Sequence, residues 1–147
     1  MIPPKVPWPY ASPSPESLLE MAREARNGAY APYSGFKVGS AVLLENGQTA
    51  KGCNIENASF GLTICAERVA VFSAVCSEAV KPLAVAVSGR DGIPCIPCGA
   101  CLQVLSEFNE EILVILDGPG APSIFRLTDL LPMRFGLEGQ GDHAEPR

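Results

Sequence analysis

A chain of 147 residues, 47% hydrophobic and 18% charged, is about one domain of globular protein and long enough to bury a core without disulfide staples. Eleven basic against sixteen acidic residues give a net charge of −5 with no basic stripe, which disfavours long nucleic-acid partners. No apolar run reaches the roughly 18 residues of a membrane span, and the one histidine, His143, lies in a polar C-terminal tail. Ser-His-Asp triads, Cys-His pairs and HExxH zinc sites would each have to recruit that tail.

The first fifteen residues carry six of the fourteen prolines, which predicts an extended arm outside the core. The opening stretch MIPPKVPWPYASPSPES holds no apolar run of signal-peptide length, so the chain reads as cytosolic. A folded body is expected over 16–136, followed by a polar tail over 137–147.

Ser14 is placed as a helix N-cap, with Pro15 at the first helical position and Glu16 in the first turn. The helix runs to about Asn27-Gly28, with Leu18, Leu19, Ala22 and Ala25 as its apolar face. YAPYSG, 30–35, is a turn-rich connector. Residues 38–45 and 49–55 read as a hairpin about Asn46-Gly47. A loop over 56–63 leads to a second helix over about 65–79, with Val69, Phe72, Cys76 and Val80 as its apolar stripe.

The runs at 83–88 and 112–116 are almost wholly apolar, as in strands covered on both faces. Between them lie a loop, 89–97, and a third helix, 98–108, starting just after Pro97. DGPGAP, 117–122, is too short and broken to hold a helix; a last strand follows at 123–127, and Thr128 caps a helical turn ending at Pro132. The strand-helix-strand order predicts a parallel pair with a right-handed crossover, flanked by antiparallel neighbours. The sum is an α/β chain with one mixed sheet of about five strands and helices on both sides.

Six cysteines in a cytosolic-looking chain read as metal-binding or catalytic. Cys98 and Cys101 are three apart and share one face of a helical first turn, so both can grip one ion; Cys65, at another helix start, can supply a third thiolate. Three protein ligands leave an open position for a water whose pKa the metal lowers, the mark of a catalytic zinc site. Zn²⁺ with three thiolates carries net negative charge, which two helix N-termini and the Arg68 guanidinium offset, so Arg68 is expected to hydrogen-bond the thiolates. Glu67, two residues past Cys65, can reach the metal water without ligating and move protons between it and a substrate nitrogen.

The other cysteines need separate readings. Cys76 is eleven residues past Cys65, about 16 Å along a helix, and reads as a core residue; Cys53, in mid-strand, reads as packing. Cys95 is the rival, because C-x₂-C-x₂-C together with Cys65 could make a four-thiolate iron–sulfur or structural zinc site. Against this, Pro97 pins a helix start downstream of Cys95, and four sulfurs would leave Glu67 without a task.

YAPYSGFKVG from Tyr30, KGCNIENA from Lys51, ICAER from Ile64, PCGACLQ from Pro97 and LLPMRFG from Leu130 resemble, in order and spacing, the small homo-oligomeric cytidine deaminases. These belong to the wider zinc-dependent deaminase superfamily. The resemblance implies one zinc per chain on Cys65, Cys98 and Cys101, with Glu67 as the catalytic proton shuttle. It implies a substrate-binding set of Phe36, Asn54, Glu56, Ala66 and Phe135, with Asn54 and Glu56 on the ribose 3′-hydroxyl and the two phenylalanines at the pyrimidine.

It also implies a three-layer α/β/α sandwich with a five-stranded mixed sheet, the last strand antiparallel as in members acting on free nucleosides. A homotetramer is expected, in which Phe135 and parts of the 57–60 loop reach a neighbour's site. Leu102, where the family often has Arg, and Cys95, where it commonly has an apolar residue, depart from the pattern. The expected activity is hydrolytic deamination of cytidine and 2′-deoxycytidine in cytoplasmic pyrimidine salvage. The rivals are a deaminase of another aminopyrimidine nucleoside such as blasticidin S, and a non-catalytic Cys₄ metal module.

Overall fold

A computed structural model describes residues 2–77 and 81–136. The end of the second predicted helix with Val80, the tail over 137–147 and His143 lie outside the described residues. Helix α1 spans Pro15–Arg26, strand β1 Gly39–Leu44, β2 Thr49–Cys53, α2 Ala66–Ser77, β3 Pro82–Ser88, α3 Gly99–Phe108, β4 Leu113–Leu116, β5 Ser123–Arg126 and α4 Leu127–Leu130. Among the described residues no helix is long and apolar enough to cross a membrane.

Local chemistry sets most of these boundaries. Ser14 Oγ accepts from Ser17 N at 3.1 Å, capping α1 as its sequence predicts, and Leu18, Leu19 and Ala22 form the buried face. The hairpin turns at Gly47, whose φ of +82° a side chain would strain, and Asn46 Oδ1 steadies the turn by accepting from Gln48 N. Arg126, rather than Thr128, is the N-cap of α4; Thr128 lies inside its first turn.

The strands form one mixed sheet in the order β2-β1-β3-β4-β5. β3 and β4 are parallel (Ala84 opposite Leu113, Val87 opposite Leu116), and every other pair is antiparallel, including the last. With a side-chain period of two, the inner strands bury both faces. Ala41, Leu43, Ala86 and Ile115 meet α1, while Val42, Val85, Val87 and Val114 meet α2 and α3. This is the expected three-layer α/β sandwich.

Two expectations about packing fail. The stripe chosen for α2 is not its buried face: Ala66, Glu67, Ala70, Val71 and Ala74 are buried, whereas Phe72 is 42% exposed and Cys76 lies at the surface. The reason is in β2. A Cβ on Gly52 would stand 2.4 Å from Ala70 N and 2.6 Å from Ala66 O, so the α2 backbone at Ala66 and Ala70 rides directly on Gly52 and leaves no room for a side chain there. Cys76 is therefore no core residue.

The proline-rich arm is extended, yet it is not separate from the core. Val6, Trp8 and Tyr10 pack on the α1 face of the sheet, with Trp8 and Tyr10 edge-to-face at 4.9 Å, and Val6 N donates to Ile124 O at 2.9 Å on β5. A single helix cannot cover a five-stranded face, and the arm's apolar residues cover what α1 leaves.

Candidate active site at two helix N-termini

Helices α2 and α3 lie side by side on one face of the sheet and start at the same end of it. Cys65 immediately precedes α2, and its carbonyl accepts the first helical bond, from Val69 N at 3.1 Å. Cys98 is the N-cap of α3 (φ −71°, ψ 163°), its carbonyl accepting from Leu102 N at 3.0 Å, and Cys101 sits one turn in, buried. The three sulfurs all lie within 4.8 Å of one another. All six cysteines are free thiols, and Cys95 stands outside this group, which removes the four-thiolate arrangement.

The chemistry of this donor set fits a zinc ion. Tetrahedral Zn–S bonds of about 2.3 Å put sulfurs about 3.8 Å apart, a spacing that falls within the 4.8 Å span of this cluster. A cation is also what the electrostatics call for. The Cys101 thiol and the Arg68 guanidinium pull the Cys65 titration well down, while Cys101 itself is driven up by its contact with Cys65, burial and the surrounding negative charge. One sulfur ionises readily and its neighbour resists, so full ionisation needs positive charge at the centre.

Arg68 Nη2 lies 3.5 Å from Cys65 Sγ and 3.5 Å from the Thr63 carbonyl, as expected of a residue placed to neutralise thiolates. Its Nε is buried without a hydrogen-bond partner among the described residues. Glu67 is only 4% exposed. Burial pushes its carboxyl up; its own backbone N–H works against that and the Cys65 thiolate adds to it. The fold decides this direction, which the residues read in order leave open.

The residues expected at the substrate are tied to one loop. Asn54, buried, accepts from Val38 N through Oδ1 and donates from Nδ2 to Phe36 O, both at 2.8 Å. Glu56 accepts from Tyr33 N at 2.9 Å, Ser34 N at 3.2 Å and the Ser34 hydroxyl, and these contacts hold its carboxyl below the usual range, the hydroxyl contributing most. Both side chains thus organise the 33–38 turn that carries Phe36. Ala66 is fully buried at the start of α2, beside Glu67.

Phe135 lies apart from that loop, 70% exposed, its backbone held by the Gln103 amide at 2.9 and 3.0 Å. Ser34 and Gln103 were not singled out from sequence. Each sits inside a quoted motif, but its partner is 22 or 32 residues away, and no local spacing announces such a bond.

The model of the cytidine and deoxycytidylate deaminase zinc-binding region matches residues 12–116. Cytidine deaminase of Halalkalibacterium halodurans is 42% identical over 129 residues, 86% of this chain and 98% of that one. The Mycobacterium tuberculosis protein of that name is 45% identical over 117 residues, 80% and 86% of the two chains. Among solved structures, cytidine deaminase from Burkholderia pseudomallei superposes with a TM-score of 0.77 at 44% identity, covering 82% of this chain and 98% of its own. The M. tuberculosis structure gives 0.74 at 44% identity, covering 83% and 97%. Matched over most of its length in sequence and fold, the chain belongs to the zinc-binding cytidine and deoxycytidylate deaminase family.

Proposed function

We propose that the protein hydrolytically deaminates cytidine and 2′-deoxycytidine to uridine and 2′-deoxyuridine, releasing ammonia, as a zinc-dependent enzyme of cytoplasmic pyrimidine salvage. The observation that carries this reading is a three-thiolate cluster beside a buried carboxyl two residues past its first ligand. Bound there by Cys65, Cys98 and Cys101, zinc supplies Lewis acidity that makes hydroxide available near neutral pH.

The protein's part is proton traffic and orientation. The attacking water has two protons to lose, and Glu67 is the buried group placed to take them one at a time. It delivers the first to ring N3 as oxygen adds at C4, and the second to the exocyclic amine, which departs as ammonia. Arg68 steadies the thiolates during this exchange. Asn54 and Glu56 meet the ribose 3′-hydroxyl through hydrogen-bonding capacity beyond that spent on the 33–38 turn, and Phe36 packs on the pyrimidine.

A homotetramer with shared sites completes the reading. Its support is the set of large apolar side chains left at the surface: Phe60, in edge-to-face contact with Tyr33 at 5.8 Å, Leu62, Phe72, Met133 and Phe135. A monomer gains nothing by exposing Phe135 on an anchored backbone, whereas a neighbour's site would use it. Six free thiols suit a reducing compartment. The deciding experiment is the loss of cytidine ultraviolet absorbance on mixing with purified protein, abolished by a chelator and restored by zinc. Absorbance that stays constant with one zinc bound per chain would end the proposal.

A further inference from the structure

Arg26 closes α1 and lies far along the chain from the residues assigned above, yet its side chain is only 20% exposed. Nη1 donates to the Gly89 carbonyl and, at 3.4 Å, reaches Ser88 Oγ, while Nη2 pairs with Asp91 Oδ1 at 2.7 Å. One planar guanidinium thus grips the end of β3 and the turn after it at three points, which its fork of donors suits and an ammonium does not. Ser88 is itself anchored, its hydroxyl donating to Asp117 Oδ2 at 3.3 Å.

What rests on this segment is the substrate loop. A Cβ on Gly89 would lie 2.9 Å from Phe36 Cζ and 3.2 Å from Cβ and Sγ of Cys95, so the Phe36 ring and Cys95 sit directly on the Gly89 backbone. The Arg90 guanidinium stands 5.8 Å from the Phe36 ring centroid. Beyond the ring a cavity of about 390 Å³ is lined by Arg26, Ser34, Phe36, Lys37, Arg90 and Asp91. Phe36 is therefore packed against Gly89 and lines the same cavity as that segment, so a shift of the segment reaches the ring directly.

We infer that Arg26 is a positioning residue for pyrimidine binding: it fixes the 88–91 segment so that Gly89 holds the Phe36 ring in place. This rests on the reading of Phe36 as the pyrimidine's aromatic contact. Losing the clamp removes binding shared by ground state and transition state, so the effect falls on KM rather than kcat. Arg26→Ala is expected to raise KM for cytidine about tenfold, the share of affinity an aromatic contact contributes. It should weaken uridine binding by calorimetry to the same extent, with kcat within about twofold and one zinc retained per chain.

Arg26→Lys keeps one cationic donor for the Gly89 carbonyl and recovers part of the loss. Gly89→Ala disturbs Phe36 from the other side and is expected to raise KM with Arg26 intact. Asp91→Ala, which leaves the Gly89 and Ser88 contacts standing, changes KM less than about twofold. The inference is overturned if Arg26→Ala keeps native KM and uridine affinity, or if its loss lies wholly in kcat or zinc content. Should Arg26→Ala fail to fold, Arg26→Lys and Gly89→Ala decide by the same criterion. A native enzyme without cytidine turnover would instead sink the proposed function, so the two failures are distinguishable.

Discussion

Asp117 at the end of β4 is 2% exposed and would be costly to bury as a lone carboxylate. Arg23 on α1 meets it with two donors, Nη2 to Oδ1 at 2.8 Å and Nε to Oδ2 at 3.1 Å, and Ser88 supplies a third at 3.3 Å. The partners are unequal, because the Arg23 side chain is 34% exposed and can turn to water. Arg23→Ala leaves a buried charge without its cation and is expected to cost about 3 kcal/mol, the low end for breaking a buried pair because Ser88 and the Gly118 N–H, 3.0 Å from Oδ1, still donate. Asp117→Asn strands no buried charge and leaves Arg23 free to turn to water, so it should cost only about 1–2 kcal/mol. At this chain length the first corresponds to about 9 °C in Tm.

The pH dependence gives a sharper signature. Burial raises the Asp117 carboxyl, but the Arg23 hydrogen bonds and charge overcome it and hold the group below its usual range. A carboxylate depressed in this way contributes stability that is complete above its unfolded pKa of about 3.9 and is lost as pH falls through the folded value. In Arg23→Ala burial still raises the carboxyl against the Gly118 N–H and the Ser88 hydroxyl, so the group titrates higher than in the native protein. That variant therefore gains less stability than the native protein as pH rises through the carboxylate range. The gap between native and variant melting temperatures should be widest near pH 7 and shrink toward pH 3, measured as paired melts at each pH. A gap independent of pH, or an Asp117→Asn protein less stable than Arg23→Ala, would refute the reasoning.

Glu67→Gln should retain one zinc per chain while turnover of cytidine falls about 10²–10⁴-fold, and near-native turnover would remove Glu67 from proton transfer. Arg68→Ala takes away the guanidinium against Cys65 Sγ and is expected to lower zinc retention about 10–100-fold in a chelator competition. Equal retention and turnover would contradict that role. Cys95→Ala should leave zinc content unchanged, since Cys95 stands outside the cluster; loss of metal would revive a fourth sulfur. Gly52→Ala drives a methyl group into the α2 backbone and is expected to destabilise by about 1–3 kcal/mol, read as a lowered Tm with native zinc content.

Residue order determined the features that close over a few positions. Ser14 capping, the Asn46-Gly47 turn and the pairing of Cys98 with Cys101 in one helical turn depend on geometry within about four residues. The apolar runs of β3 and β4 likewise announce strands covered on both sides. The Cys98–Cys101 pair and the nearness of Glu67 to Cys65 were legible for that reason, and the motifs in their order carried the family, whereas the fold brings Cys65 to the pair. Tertiary structure decided what depends on a distant element's approach. Gly52 brings β2 so near α2 that an alanine stripe is buried and Phe72 and Cys76 are left outside. The arm found a place on a sheet face that one helix could not cover. Glu67 has its carboxyl raised because the fold buries it, and Arg26 meets Gly89 because α1 ends where β3 does. Burial and long-range hydrogen bonds are properties of packed neighbours, and a chain read one residue after another holds the neighbours but not their distances.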